Sequence, residues 1–335
     1  MAVYTEVSFN EAADFFQTLD LGQLQSLKAC AGGIENTNYF ADTDRGEYVL
    51  TLFERLGFEQ LPFYLQLMKH LADRTILVPN PAPDKNGKIL HSLKGKPAAV
   101  VNKLSGHSEL VPGVAHCASV GAMLARMHLA GQDFDMHQPN LRGLSWWNTT
   151  VHAILPHVNA EQRRLLLGEL AYQNHIAASS AYKALPAGTV HGDLFRDNVM
   201  FDNGKLSGFF DFYFAGCDTF LFDIGVCLND WCIDHATDKH DAALADAFLI
   251  AYQAVRPLTA QERTLLPAMV RAGALRFWIS RLWDFYLPRE AAVLKAHDPT
   301  RFERVLAERV AFPVVSSTPH PAAPASHIKT LTTTS

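Results

Sequence analysis

The sequence predicts an α+β fold of two lobes, with an antiparallel sheet and a helix in the N-terminal lobe and a mostly helical C-terminal lobe. Extended stretches crowd the first hundred residues, and two of them, 38–43 and 47–53, flank the turn cluster Asp44-Arg45-Gly46 that is typical of a hairpin. From His116 onward, apolar residues recur at the spacing of amphipathic helices. The length of 335 residues suits either two domains or one enzyme of two lobes.

The N-terminal lobe is expected over residues 1–103. An amphipathic helix over 10–19 opens it, with Ser8 or Asn10 as the N-cap, because such side chains accept hydrogen bonds from the first N–H groups of a helix. A second helix is expected over 61–71, where apolar residues have helical spacing, and a proline-rich stretch follows it. The predicted strands are 24–31, 38–43, 47–53, 88–93 and 97–104.

The C-terminal lobe is expected over residues 104–313, with a strand-rich insert over 189–213 among its helices. Residues 314–335 are rich in Ser, Thr, Pro and Ala, and we expect a disordered tail there because they offer no periodic apolar face to bury. Five strands with one helix among them, followed by a helical lobe that holds a small hairpin, are the layout of a two-lobed kinase. The predicted helices are 115–130, 161–184, 222–233, 242–255, 260–273 and 275–286.

Composition and charge exclude several classes of protein. With 29 basic and 34 acidic residues the formal net charge is −5, which removes the electrostatic basis for binding nucleic acid. The sequence has no polybasic patch and no apolar run of bilayer length, so no membrane attachment is expected. Glu6, Glu11 and Asp14 stand where a signal peptide would be basic and then apolar, which favours a cytoplasmic protein. The oligomeric state stays open.

Cysteine usage points to the same compartment. The number of cysteines is odd and their spacing does not match that of metal ligands, so we expect reduced, buried thiols in place of a redox or zinc site. The five residues are Cys30, Cys117, Cys217, Cys227 and Cys232.

The most informative motif has the form HxDxxxxN. His191 begins it, Asp193 and Asn198 complete it, and Asp211 follows Asp193 by eighteen residues. The polar turn at 202–204 lets the chain fold back, which brings Asp211 beside Asn198.

Phosphoryl transfer needs these groups. An acceptor hydroxyl needs a carboxylate that orients it and takes its proton, and the phosphates of ATP need Mg²⁺ held by oxygen ligands. The motif supplies Asp193 as the base, and Asn198 and Asp211 as ligands of Mg²⁺. A lone aspartate before a strand is usually a turn residue or cap, so the joint pattern carries the prediction. We interpret His191 as a packed, hydrogen-bonded side chain that braces the loop, which is commoner than a catalytic base at such a position.

A glycine-containing loop between the first two strands is the candidate for covering the phosphates. Backbone N–H groups at Gly32 and Gly33 permit close approach of an anion, and Asn36, Thr37 and Asn38 add side-chain donors. The loop is neither GxGxxG nor a Walker A sequence, so an ordinary hairpin loop is the alternative.

At these residues the chain resembles the aminoglycoside phosphotransferase and choline kinase group, whose fold is protein-kinase-like. Within that group it resembles the homoserine kinases of this fold. The resemblance covers residues 1–313 and leaves out the tail. Outside the catalytic motif, the stretches that carry it are 33–39, 48–54, 61–71, 96–98, 211–215, 227–232 and 276–282.

The resemblance implies roles for further residues. Thr51 stands on the third strand where most relatives carry a lysine that pairs with the phosphates, so we place it at the nucleotide and leave open which cation replaces the lysine. Asp223 begins an apolar helix where relatives have an aspartate that accepts backbone hydrogen bonds from the catalytic loop, a structural role. The adenine is expected against the link between the lobes, at Val101, Asn102 and Leu104, mainly through the main chain.

Homoserine would be a zwitterion with a terminal hydroxyl group. Its carboxylate suits an arginine fork, for which Arg276 and Arg281 are the candidates, although most arginines are surface groups. Its ammonium group suits a carboxylate, and Asp230 is the candidate because it lies nearly two helical turns after Asp223 on the same face. A solvated position on the helix is the alternative for Asp230.

The resemblance therefore implies Mg²⁺-dependent transfer of a phosphoryl group from ATP to the hydroxyl of L-homoserine, giving O-phospho-L-homoserine, a precursor of threonine. Two alternatives stay open. One is a related kinase that acts on another amino alcohol, a sugar or an aminoglycoside, and an aminoglycoside site should be lined with carboxylates instead of arginines. The other is a silent nucleotide-binding module, suggested by Thr51, against which the intact catalytic motif weighs.

Overall fold

An antiparallel sheet of five strands forms the N-terminal lobe of the computed structural model, which describes residues 5–30, 36–234, 236–287 and 297–314. Its strands are β1 (Leu24–Ala29), β2 (Asn36–Thr43), β3 (Gly46–Phe53), β4 (His91–Leu93) and β5 (Lys96–Asn102). They lie in the order β1-β2-β3-β5-β4. The predicted hairpin of β2 and β3 is confirmed, with Thr43 paired to Gly46. Of the strand predicted over 88–93, only the last three residues form a strand, β4.

One face of this sheet, which we call the outer face, is covered by α1 (Phe9–Thr18). Ser8 caps the helix, because its Oγ accepts the N–H of Glu11 at 3.3 Å while the carboxylate of Glu11 accepts the N–H of Ser8 at 2.8 Å. The buried ring of Phe16 joins a hydrophobic cluster that includes Leu50 of β3. Burial of apolar surface from both elements holds the helix on the sheet.

The opposite face, which we call the cleft face, packs on α2 (Leu61–Asp73). Pro62 lies in the first turn of this helix, where its missing N–H has no partner to lose. Phe53 of β3 and Leu65 of α2 belong to one large cluster that also holds Leu124 of the helical lobe. Since this cluster spans both lobes, α2 anchors the sheet to the C-terminal lobe.

The C-terminal lobe is built mainly of helices. In the described part of the chain they are α3 (Val114–Ala130), α4 (Leu144–Ile154), α5 (Ala160–Ala178), α6 (Ser180–Lys183), α7 (Phe220–Trp231), α8 (Ala242–Val255), α9 (Ala260–Tyr286) and α10 (Thr300–Ala311). The sequence did not predict α4 and α10. The helix predicted over 161–184 breaks at Ser179, whose side chain caps α6. No helix among the described residues has the length and apolar character needed to cross a membrane.

The long helix α9 corrects the prediction of two separate helices over 260–273 and 275–286. Gly273 lies inside it, and a Cβ at this position would lie 3.1 Å from the backbone of Gly225 in α7. The glycine therefore serves the crossing of two helices and does not end one. This close crossing fixes α9 beside α7.

The predicted strand-rich insert is confirmed and extends to residue 219. It contains β6 (Ala187–Val190), β7 (Val199–Asp202), β8 (Lys205–Phe209) and β9 (Gly216–Thr219), of which β7 pairs with β8 and β6 with β9. Asn203 and Gly204 make the turn between β7 and β8 with left-handed φ angles of 49° and 74°.

Two sequence predictions concern residues that lie outside the described part of the chain. These residues are Gly32 and Gly33, and residues 315–335 of the predicted tail. Val314, the first residue of that tail, is buried and belongs to the large cluster. The packed part of the chain therefore extends one residue beyond the predicted boundary.

The prediction of buried thiols holds for three of the five cysteines. Cys117, Cys227 and Cys232 are buried, whereas Cys30 and Cys217 are partly exposed, and none of the five forms a disulfide bond in the described part of the chain. Burial raises the pKa of the Cys227 and Cys232 thiols well above the ordinary value. These two groups therefore stay in the unreactive thiol form.

Replacing Gly225 with alanine should destabilise the protein, because the added Cβ would lie 2.5 Å from the carbonyl oxygen of Met269 in α9. Overpacking of this kind costs about 1–3 kcal/mol. Gly168 is the matched control, since it is exposed in α5 and an added Cβ meets nothing within 4 Å. Gly168→Ala should stabilise by about 0.5–1 kcal/mol through helix propensity. Urea unfolding measures both changes, and equal free energies of unfolding for the two variants would contradict the close crossing.

Candidate active site

The HxDxxxxN motif forms a loop directly after β6. Gly192 has φ +73°, and a Cβ there would lie 2.8 Å from the carbonyl oxygen of Phe214, so the position requires glycine. His191 is fully buried and its Nε2 donates to the carbonyl oxygen of Phe210 at 2.9 Å. Burial lowers the pKa of His191, so the ring stays neutral near pH 7. The ring of His191 therefore links the catalytic loop to Phe210, the residue that precedes Asp211.

Asp223, at the start of α7, holds this loop through its main chain. Its Oδ2 accepts the N–H of His191 and its Oδ1 accepts the N–H of Gly192, each at 2.8 Å. Burial alone would raise the pKa of Asp223, but the hydrogen bonds from His128 and from the loop outweigh it and lower the pKa. The carboxylate therefore remains charged, as its donors require.

Asp230 holds the same loop and does not reach the acceptor site. Its Oδ2 accepts the N–H of Arg196 at 2.9 Å, and Arg301 of α10 donates to its Oδ1 at 3.3 Å. One helical position further on, the Nε1 of Trp231 donates to the carbonyl oxygen of Leu194 at 2.9 Å. The prediction that Asp230 binds an ammonium group is wrong, because both of its oxygens are buried and bonded to other parts of the protein.

The carboxyl group of Asp193 faces a guanidinium group. Nη1 of Arg276 lies 3.8 Å from its Oδ1, and only 18% of the Asp193 side chain is exposed. Burial raises the pKa of Asp193 to about 7, with Arg276 acting against this rise and the nearby Asp211 adding to it. A carboxylate whose pKa lies near neutrality is suited to accept a proton and release it again.

Asn198 precedes β7 and Asp211 follows β8, so the hairpin brings them together. The N–H of Phe210 donates to the carbonyl oxygen of Asn198 at 3.0 Å. Nδ2 of Asn198 donates to the carbonyl oxygen of Asp193 at 2.8 Å, which leaves the amide oxygen as the side-chain acceptor. Asp211 has a left-handed backbone, with φ 63° and ψ 59°, of the strained kind found at functional sites. Mg²⁺ prefers oxygen ligands such as amide and carboxylate oxygens, so the side chains of Asn198 and Asp211 fit the ion.

The cleft face of the sheet presents neutral side chains at positions predicted to bind the nucleotide. Thr51 lies opposite Asn38 in the register, and its Oγ1 donates to Oδ1 of Asn38 at 2.7 Å. Asn36 and Val101 share this face, because residues two apart and residues paired across strands point to the same side. The structure therefore brings together four of the residues predicted to bind the nucleotide.

Thr37 points to the outer face, so its prediction as a side-chain donor to the phosphates is wrong. It shares that face with Tyr39, and its Oγ1 donates at 2.6 Å to the carboxylate of Glu54, whose side chain is 8% exposed. Lys96 pairs with the same carboxylate. This lysine therefore belongs to the outer face too and does not replace the cation that is missing at Thr51.

The link between the lobes borders a cavity of about 540 Å³. Asn102 and Leu104 line it together with residues 75–78, and Oδ1 of Asn102 accepts the N–H of Asn80 at 2.7 Å. The side chain of Asn102 points to the outer side, since the residue pairs with Tyr48 in the register. We therefore assign the expected contact of Asn102 with adenine to its main chain, as the sequence predicts.

A second cavity, of about 140 Å³, opens beside Asp193. Helix α9 supplies most of its wall, and the two predicted arginines, Arg276 and Arg281, both line it. The same wall continues from Arg276 to Ser280 and Asp284, because residues one and two turns apart share a side of a helix. The cavity thus combines cationic and anionic groups next to the candidate base.

Arg276 is the most buried cation of this cavity, with 5% of its side chain exposed. Its guanidinium carbon lies 3.8 Å from the ring centre of Phe277 and 5.1 Å from that of Phe214. Burial lowers the pKa of Arg276 to about 10, so it remains charged at neutral pH. Its Nε has no hydrogen-bond partner among the described residues. A buried donor without a partner costs about 1–3 kcal/mol. The guanidinium of Arg276, charged and in the wall of the cavity, is the candidate partner for an anionic ligand.

The sequence reasoning missed two charged residues of this cavity, Arg142 and Asp284. Arg142 lies two residues before the unpredicted helix α4, with its guanidinium carbon 4.6 Å from the ring centre of Trp146. Asp284 had a usable signal, because it lies eight positions after Arg276 in the same helix. Arg142 had none, since only tertiary packing brings the start of α4 beside α9.

Taken with the fold, this geometry makes the protein a phosphotransferase of small molecules with a kinase-like architecture. Residues 26–263 match the model of the phosphotransferase enzyme family. A homoserine kinase of Polaromonas naphthalenivorans (strain CJ2) is 72% identical over 313 residues, which are 93% of this chain and 99% of that protein. A homoserine kinase of Burkholderia lata is 56% identical over 319 residues, 93% and 96% of the two chains. The chain belongs to the phosphotransferase enzyme family and, within it, to the homoserine kinases.

Solved structures share the fold at low sequence identity. An amicoumacin kinase in complex with AMP-PNP and Ca²⁺ aligns with a TM-score of 0.67 at 17% identity, over 91% of this chain and 95% of its own. A choline kinase from Cryptosporidium parvum Iowa II aligns with a TM-score of 0.59 at 12% identity, over 93% and 92%. These likenesses confirm the predicted two-lobed, kinase-like fold.

Asp211→Asn should lower Mg²⁺-dependent turnover by at least about 10²-fold while the protein stays folded, because it removes a ligand charge and keeps the side-chain shape. Asp202→Asn is the matched control, an exposed aspartate of the same hairpin, and should keep normal activity. ADP release measured against Mg²⁺ concentration, with circular dichroism as the check on folding, compares the two. Near-normal turnover of Asp211→Asn at low Mg²⁺ would remove Asp211 from the metal site.

Proposed function

We propose that the protein transfers the γ-phosphoryl group of ATP to the side-chain hydroxyl of L-homoserine. The observation that carries the proposal is the cavity beside Asp193, where Arg276 and Arg281 stand with Asp284. A zwitterionic amino acid needs both signs of charge, a guanidinium for its carboxylate and a carboxylate for its ammonium group. Relatives named homoserine kinase at 56% and 72% identity support the same assignment.

Arg276 is the anchor for the substrate carboxylate in this proposal. Arg276 lines the cavity, so its guanidinium group can face the anion, and its position beside the rings of Phe214 and Phe277 limits its movement. Its Nη1 is only 3.8 Å from Asp193, so the carboxylate site and the base lie close together. A short substrate is needed to reach both, and in homoserine two methylene groups separate the α-carbon from the hydroxyl oxygen.

The same cavity weighs against other acceptors. An aminoglycoside carries several ammonium groups, whereas the lining here holds the three arginines Arg142, Arg276 and Arg281 and, besides the base Asp193, one further carboxylate, Asp284. Choline and sugars lack a carboxylate that would pair with the buried guanidinium. The second candidate is therefore a kinase for another small amino alcohol that also carries a carboxylate, such as serine.

The mechanism follows from the positions of the side chains. Asp193 accepts a hydrogen bond from the acceptor hydroxyl and aims its oxygen at the γ-phosphorus. As the new oxygen–phosphorus bond forms, the bond from the γ-phosphorus to the bridging oxygen of ADP breaks, and the hydroxyl proton passes to Asp193. Asn198 and Asp211 would hold Mg²⁺, which neutralises charge on the phosphates when bound.

Two expectations from the sequence belong to this proposal. We place the lobe boundary between residues 103 and 104, directly after β5 ends at Asn102. We also keep the cytoplasm as the location, in line with a reaction that consumes ATP and supplies O-phosphohomoserine to threonine synthesis.

The deciding experiment is an ADP-release screen of the purified protein with Mg²⁺ and ATP. The acceptors are homoserine, serine, choline, methylthioribose and an aminoglycoside, and ³¹P NMR identifies the product. Homoserine should give the highest kcat/KM and an O-phospho ester. Preference for another acceptor would overturn the substrate, and no ADP release with any acceptor would favour a silent nucleotide-binding module.

Asp193→Ala should lower kcat far more than it lowers ATP affinity. Loss of a general base costs about 10² to 10⁴ in rate, or roughly 3–5 kcal/mol of barrier, whereas the nucleotide loses no direct contact. Calorimetric titration with a non-hydrolysable ATP analogue, beside steady-state turnover, separates the two effects. If affinity falls in step with the rate, Asp193 is a metal ligand or a structural residue.

Asp284→Asn should raise the KM for homoserine by about tenfold, because the ammonium group loses its charged partner, a loss of roughly 1.4 kcal/mol. The KM for ATP should stay unchanged. Glu161→Gln, which neutralises an exposed carboxylate at the start of α5, is the control for the change in net charge and should alter neither constant. A homoserine KM of Asp284→Asn equal to that of the control would place the ammonium group elsewhere.

A further inference from the structure

A chain of buried polar side chains, outside the substrate cavity, runs from the start of α9 to the catalytic loop. Glu262 pairs with Nη2 of Arg256 at 2.9 Å, and Nη1 of Arg256 lies 3.2 Å from the hydroxyl of Tyr252. That hydroxyl lies 2.8 Å from Nδ1 of His128, whose Nε2 lies 3.1 Å from Oδ2 of Asp223. All five side chains are buried. We call this series the polar chain.

Hydrogen-bond chemistry allows one arrangement of protons along the polar chain. A guanidinium group only donates, so the oxygen of Tyr252 accepts from Arg256 and its own proton is left for Nδ1 of His128. Nδ1 is then an acceptor, so the proton of the neutral imidazole is on Nε2. This N–H donates to Asp223, whose carboxylate only accepts. Burial lowers the pKa of His128, in agreement with a neutral ring.

We propose that His128, in its Nε2–H tautomer, is a positioning residue for phosphoryl transfer: it fixes the Asp223 carboxylate and thereby the main chain that carries Asp193. This proposal rests on the proposed function only because homoserine phosphorylation is the reaction in which kcat is measured.

The loop geometry explains why this bond matters to the chemistry. Asp223 is held by the N–H groups of His191 and Gly192, and those two residues directly precede Asp193. His128 supplies the donor that comes from outside the loop, so it ties the carboxylate to α3 and the rest of the C-terminal lobe. Without it, the carboxylate and the loop could shift together. A displacement of about 1 Å at a reacting group costs on the order of 10²-fold in rate.

The imidazole itself has little freedom to move. Its ring stacks on Phe220 with the centres 4.5 Å apart and an interplanar angle of 23°. The guanidinium carbon of Arg256 lies 4.7 Å from the centre of the same phenyl ring. Stacking on one side and hydrogen bonds at both nitrogens fix the direction of the Nε2–H bond.

Two substitutions of His128 test the proposal. His128→Leu removes the donor and should lower kcat by at least about tenfold, as expected when a hydrogen bond to a charged group is lost, with both KM values changed less than about twofold. His128→Gln keeps an amide N–H at the place of Nε2–H and should restore kcat to within about threefold of the wild type. Full kcat in His128→Leu, or no rescue by glutamine in a folded protein, would overturn the proposal.

A second pair of variants decides the question if His128→Leu fails to fold. Tyr252→Phe removes the donor that selects the tautomer, and Tyr39→Phe removes a buried hydroxyl of the outer face that accepts the N–H of Val7 at 3.0 Å. The melting temperatures should fall alike, but only Tyr252→Phe should lower kcat, by about threefold or more. Equal kcat values for the two variants would overturn the positioning role.

NMR of ¹⁵N-labelled histidine reads the tautomer without any turnover. The wild type should show His128 as a single Nε2–H form, and the Nδ1 signal should shift in Tyr252→Phe and stay in place in Tyr39→Phe. A wild-type ring protonated on Nδ1 would overturn the proposal. Failure of homoserine phosphorylation in the wild type would reject the proposed substrate, and the NMR result would stand apart from it.

Discussion

The active site depends on hydrogen bonds between side chains of one helix and the main chain of the catalytic loop. Asp223, Asp230 and Trp231 lie on one side of α7 and hold N–H and C=O groups of residues 191–196. Because these bonds take up the backbone, the side chain of Asp193 remains directed at the acceptor cavity. The close crossing of α7 and α9 then fixes the distance between the loop and the arginines that line that cavity.

The sequence predicted the parts of the site that are close together in the chain. His191, Asp193 and Asn198 lie within eight residues, so their spacing alone carries their chemistry. Asp230 shows the limit of such reasoning. It does share a face of α7 with Asp223, but that face meets the loop backbone and Arg301, which comes from the unpredicted helix α10. Partners supplied by distant elements leave no trace in local spacing, which is also why Arg142, just before α4, was missed.

The N-terminal lobe shows a second limit, which arises from the period of two in a strand. Thr37 and Asn38 are neighbours in the sequence, and both read as donors near a nucleotide. The pleat sends them to opposite faces, and packing of α1 and α2 decides which face is turned to the cleft. Local pattern gives the strand and its alternation, whereas the choice between the two faces is made by tertiary contacts. Thr51 and its bond to Asn38 could be interpreted only once that choice was known.

The ion pair between Asp230 and Arg301 also makes the order of synthesis matter. Arg301 follows Arg196 by 105 residues in the chain, yet both bind the same buried carboxylate. The ribosome releases the catalytic loop and α7 well before α10. A buried carboxylate that lacks one of its cations is costly, so the loop and the later helix stabilise each other on docking. The catalytic loop therefore reaches its final set of bonds only after α10 has been translated and has packed against α7 and α9.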